Sequence, residues 1–154
     1  ARYQANMEVI ALAFLLPLLI FSFGSRLLGK LAERLDYRRS AGLAMLLGAL
    51  AVGAMLLTDG IAPFVALWTV FSASLSVVNY ALDSLYMQAI PAAGRGFSLG
   101  KYTLGSALAG VVGPLLGGFL FDYAGHLVPF MVFALGGLLL GLAMLAALGK
   151  GKEG

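Results

Sequence analysis

Residues 29–39 read GKLAERLDYRR and hold six of the chain's seventeen formally charged residues. Residues 9–24, just before them, carry no charge at all. The contrast sets the solvent. Hydrophobic residues make up 61% of the chain and charged residues 11%, with a mean hydropathy of +0.97. A water-soluble domain carries roughly 25% charged residues, so this chain has too little polar surface for water. In a bilayer the backbone must satisfy its own hydrogen bonds, which leaves helices or a closed barrel. The apolar runs are long and do not alternate, so they are read as helices.

Working outward from the charged stretch, breakers divide the chain into five spans, at about 6–28, 41–57, 61–90, 97–121 and 128–148. About 20 apolar residues cross a membrane, and the longer third span has to tilt or protrude. The predicted fold is all-α, a polytopic bundle of five transmembrane helices over 1–149 with a charged tail at 150–154. Arg26, Lys30, Arg34, Arg38 and Arg39 flank the first loop, Arg95 and Lys101 the third, and Lys150 and Lys152 lie in the tail. The loops near 58–61 and 122–127 contain no Lys or Arg. Nine of the ten basic residues therefore share one side, the exception being Arg2. By the positive-inside rule that side is cytoplasmic. The net charge of +3 follows from this placement and does not indicate nucleic-acid binding. The N-outside start at Ala1 predicts at least one further helix ahead of it.

Several chemistries are excluded by residue type. The chain has no cysteine and a single histidine, His126, so neither a thiolate nor a His-cluster metal site is expected. No Ser/His pair, acid pair or metal constellation sits at a common depth, so the chain is not read as an enzyme, and no cofactor is expected.

The charged stretch also resembles the cytoplasmic loop signature of the major facilitator superfamily, G-x-L-A-D-R-x-G followed by paired arginines. Gly29, Leu31, Ala32, Arg34, Arg38 and Arg39 match; Glu33 stands at the aspartate and Asp36 at the second glycine. In the fourth span, Gly100, Ala109, Gly113, Pro114, Gly117 and Gly118 are similar to the family's G-x8-G-x3-G-P-x2-G-G helix signature, with Ala109 at one glycine. Gly105, Ala109, Gly113 and Gly117 form a small-residue stripe that allows close helix approach, and Pro114 removes a backbone hydrogen bond and favours a bend. Residues 91–100 (PAAGRGFSLG) and 122–130 (DYAGHLVPF) resemble two further connections of the family. The resemblance covers nearly the whole chain. It implies part of one six-helix half, helices two to six or eight to twelve. The third span lacks the arginine of the amino-terminal half and the chain ends in a short tail, which favours eight to twelve; the G-P-x-x-G-G signature weighs the other way.

On the third span, Thr69, Ser72, Ser76, Asn79, Tyr80 and Asp83 recur at steps of three or four and share a face. A polar stripe on an apolar span faces protein or water rather than lipid. The resemblance implies that this helix lines the central cavity, with Ser72, Ser76, Asn79 and Tyr80 toward substrate and Trp68 as an aromatic wall; interhelical hydrogen bonding without a ligand is the other reading. Asp83 is expected to pair with Arg34 or Arg95 as a cytoplasmic latch, or to bind a coupling proton. Glu8, near the outer interface, is either solvated or paired with Arg2, or is a second coupling site. The function implied is secondary transport of a small solute by alternating access, proton-coupled, in the bacterial cytoplasmic membrane. The partners implied are the bilayer, the remaining half and first helix of the same transporter, the solute and protons, and no nucleic acid. The alternative is a membrane-embedded binding or structural module that dimerises.

Overall fold

The computed structural model describes residues 11, 15–17, 19, 22, 29–30, 34–91, 94–125 and 127–150. Glu8, Leu31, Ala32, Glu33 and His126 lie outside the described residues. Four helices are described along their length: α1 Tyr37–Met55, α2 Ile61–Ala89, α3 Arg95–Ala124 and α4 Val128–Lys150. Positions 11, 15–17, 19, 22, 29–30 and 34 are also helical. No strand occurs among the described residues. Three of the four, Ile61–Ala89, Arg95–Ala124 and the Val128–Ala147 stretch of α4, are long and apolar enough to cross a membrane. In α1 the first turn is occupied by Tyr37, Arg38, Arg39 and Ser40, which shortens its apolar part.

Each helix end has a local cause. The N-cap of α1 is Asp36, whose φ of 69° is the only positive value at a non-glycine residue among those described. Its carbonyl accepts both the Ser40 amide and the Ser40 hydroxyl, each at 2.9 Å. At the other end the chain tightens: Leu57 donates to the Ala54 carbonyl at 3.0 Å, and the Thr58 hydroxyl donates to that of Met55 at 2.9 Å. Helix α2 ends at Ala89 because Pro91 drives Ile90 into an extended conformation, φ −83° and ψ 124°. Helix α3 lies between two left-turning glycines, Gly94 at φ 80° and Gly125 at φ 98°, and continues through Pro114. With 29 residues α2 is about 44 Å long, more than a hydrocarbon core of about 30 Å requires.

Helix α1 is the hub, packing closely on both α2 and α4, whereas α3 approaches α4 only slightly and makes no close backbone approach to α2. The α1–α4 crossing is built from small residues. A methyl group added at Gly141 would lie 3.1 Å from the Gly42 carbonyl oxygen and 2.9 Å from the Leu46 side chain; one at Gly137 would lie 3.0 Å from the Ala49 Cβ. Ala41, Ala49, Ala51, Val52, Met55, Val78 and Ala81 form the buried core. Leucines instead cover the exterior, among them Leu43, Leu47 and Leu50 on α1, Leu104, Leu108 and Leu115 on α3, and Leu139 and Leu142 on α4. A fold that buries alanine and exposes leucine is suited to lipid, where helix association comes from close packing rather than from hiding apolar surface.

Candidate functional site

The polar stripe lies along α2. Its hydroxyls donate to their own helix, each to the carbonyl four residues back: Thr69 to Val65, Ser72 to Trp68 and Ser76 to Ser72, all at 2.8 Å. Ser74 and Ser84, off the predicted stripe, do the same to Val70 and Tyr80 at 2.8 Å. This back-bonding satisfies the proton of each hydroxyl without a neighbouring helix and leaves oxygen lone pairs to accept. Asn79 is exposed and its amide has no hydrogen-bond partner among the described residues.

Tyr80 sits where the stripe meets the charged loop. A methyl group added at Gly29 would lie 3.4 Å from its ring, and the Tyr37 ring lies 6.2 Å away, centroid to centroid, tilted by 60°. Gly29 is buried, while Arg34, Asp36, Arg38 and Arg39 are exposed. The loop signature thus contributes a small residue and an aromatic one to the base of α2. Asp36, at the signature's second glycine, is the residue with the positive φ; a left-handed backbone is what glycine supplies without strain.

Among the described residues the partner of Asp83 is Tyr102 on α3, whose hydroxyl donates to Asp83 Oδ1, rather than Arg34 or Arg95. The Tyr86 ring stacks on the Tyr102 ring, centroids 4.3 Å apart and planes 21° apart, and the Tyr86 hydroxyl donates to the Ser98 carbonyl at 2.8 Å. Lys101, next to Tyr102, stands 4.5 Å over the Phe97 ring. Two tyrosines and one acid therefore join α2 to the start of α3 where the backbones stay apart. Sequence reasoning missed Tyr86, Ser98 and Tyr102; the signal was the recurrence of aromatic residues on both sides of the 91–94 connection.

Trp68 lies toward the opposite end of α2. It borders an apolar cavity of about 180 Å³ formed by Val52, Met55, Phe71, Pro129, Phe130 and Phe133, with Phe71 edge-on to Phe133 at 5.2 Å. The α3 signature is open. No residue of α3 is buried, and added methyl groups at Gly105, Gly113, Gly117 and Gly118 would meet nothing within 4 Å. No cluster of metal-ligating side chains occurs among the described residues.

Long apolar helices, a leucine exterior and a polar stripe with one acid define a polytopic α-helical membrane protein. The model of the Major Facilitator Superfamily matches residues 2–153, and the chain belongs to that family. No curated protein and no solved structure gives a significant match. Family membership makes the chain an integral membrane protein concerned with moving a small solute across the bilayer.

Proposed function

We propose that the chain is the greater part of one half of a secondary transporter, helices eight to twelve, and that α2 lines its solute pathway. The observation that carries this is the make-up of α2. It has a single charged residue, Asp83, in 29 positions, and that acid shares a face with Ser72, Ser76 and Asn79. An ionisable residue within a membrane span points to a functional site, and the family match supports a transport role for the chain. The first loop and the tail face the cytoplasm, and the pathway closes there when Asp83 and Tyr102 hold α2 against α3. The open face of α3 and the Trp68 cavity bordered by α1, α2 and α4 are where the rest of the transporter packs. Proton coupling through Asp83 is the finer form of the reading, and Glu8 is a second candidate for it.

The test is Asp83→Asn in the intact transporter, assayed in two modes. Asn still accepts the Tyr102 hydroxyl but cannot bind and release a proton. A coupling role predicts loss of proton-driven accumulation with counterflow exchange retained. A latch role predicts that both modes persist, whereas Tyr102→Phe shifts the balance between inward-open and outward-open states. If both variants leave accumulation, exchange and state balance unchanged, Asp83 has no part in transport.

A further inference from the structure

We propose that the cytoplasmic end of the α2 face is a recognition site for an organic cation, a solute presenting an ammonium-like charge beside an apolar or aromatic body. The proposal rests on the reading of α2 as the pathway wall. Three observations support it. First, Asp83 is exposed, and only its Oδ1 is engaged among the described residues; the other oxygen is available to a positive donor. Second, the Tyr102 hydroxyl that binds the acid belongs to a ring stacked on Tyr86, and a carboxylate beside an aromatic pair attracts a poorly hydrated cation both by charge and by the ring quadrupole. Third, Ser72 and Ser76, about two to three turns further along the same face, give their protons to their own backbone. They offer a solute acceptors, not donors. Helix α2 contains no Lys or Arg to reverse this polarity. The nearest base in sequence to Tyr102, Lys101, is drawn over Phe97, and no base pairs with Asp83 among the described residues. Asn79 and Tyr80 carry donors as well as acceptors, but the one charge on α2 is negative, which disfavours an anionic solute.

The probes are benzyltrimethylammonium and benzenesulfonate, similar in size and opposite in charge, used with the full-length transporter. Binding in detergent is measured separately from flux in proteoliposomes. We expect the cation to bind in preference to the anion. Asp83→Asn, which keeps the Tyr102 hydrogen bond, should weaken cation binding by roughly tenfold or more. Tyr86→Leu should weaken it while leaving the acid in place. Benzenesulfonate binding as tightly as the cation, cation binding unaltered by Asp83→Asn, or binding of neither probe overturns the site. Cation binding that is lost in Asp83→Asn but accompanied by no flux in the unsubstituted protein upholds the site and removes the transport reading instead.

Discussion

Asp36 carries a cost that its neighbours do not relieve. A non-glycine residue held at φ 69° and ψ 133° is strained by about 1–3 kcal/mol, and the two bonds from Ser40 go to its carbonyl, which any residue would supply. Asp36→Gly is therefore expected to raise stability by about 1 kcal/mol, read as a higher unfolding temperature in detergent. A lower temperature would mean that the Asp36 carboxylate contributes more than the strain costs. The mismatch with the loop signature was visible in the sequence, and the backbone angle gives its physical meaning. The partner of Asp83 was not visible. Arg34 and Arg95 have the right charge, but it is the Tyr102 hydroxyl that reaches Asp83 Oδ1, and a carboxylate takes the donor that the packing presents.

Helices α3 and α4 both carry glycines at four-residue spacing, and the structure separates them. Gly137 and Gly141 of α4 meet Ala49, Leu46 and the Gly42 backbone of α1, whereas Gly113 and Gly117 of α3 meet nothing. Gly141→Leu is expected to destabilise the bundle by about 1–3 kcal/mol, because the Gly42 carbonyl cannot move aside as a side chain can. Ala143→Leu, at an exposed position on the same helix, should have little effect. Equal unfolding temperatures for the two variants would remove the α1–α4 crossing as a packing element. The polar stripe of α2 behaves differently from both. Its hydroxyls need no second helix because they bond within their own, so α2 can border a pathway without being destabilised when that pathway is empty.

At the scale of the whole molecule, α1 holds α2 and α4 together, while the α3 backbone approaches only that of α4, and only slightly, among the described helices. A 30-residue helix with no buried residue makes sense where further protein packs on it. In the intact transporter Gly113→Leu should lower the unfolding temperature about as much as Gly141→Leu does; no change would mean that the α3 face looks at lipid. The proposed orientation predicts alternation of the loops. Single cysteines at the exposed positions Asp59 and Tyr123 should react with a membrane-impermeant reagent added to intact cells, and those at Arg39 and Gly94 should not. The reverse pattern would invert the topology.

The four helices described along their length, their approximate ends and the membrane were legible in the sequence itself, because they rest on local properties: the length of apolar runs, and glycine and proline at the turns. Pro91 stops α2 wherever α2 lies, and the family signatures are likewise read along the chain. The tertiary structure alone decided which small-residue stripe is packed, that Tyr80 rests against Gly29 and Tyr37, and that Asp83 is held by Tyr102. Those facts depend on the distance between helices, which side-chain spacing does not encode: glycine at every fourth position permits close approach in α3 and α4 alike, and only the arrangement of neighbours determines where it is used.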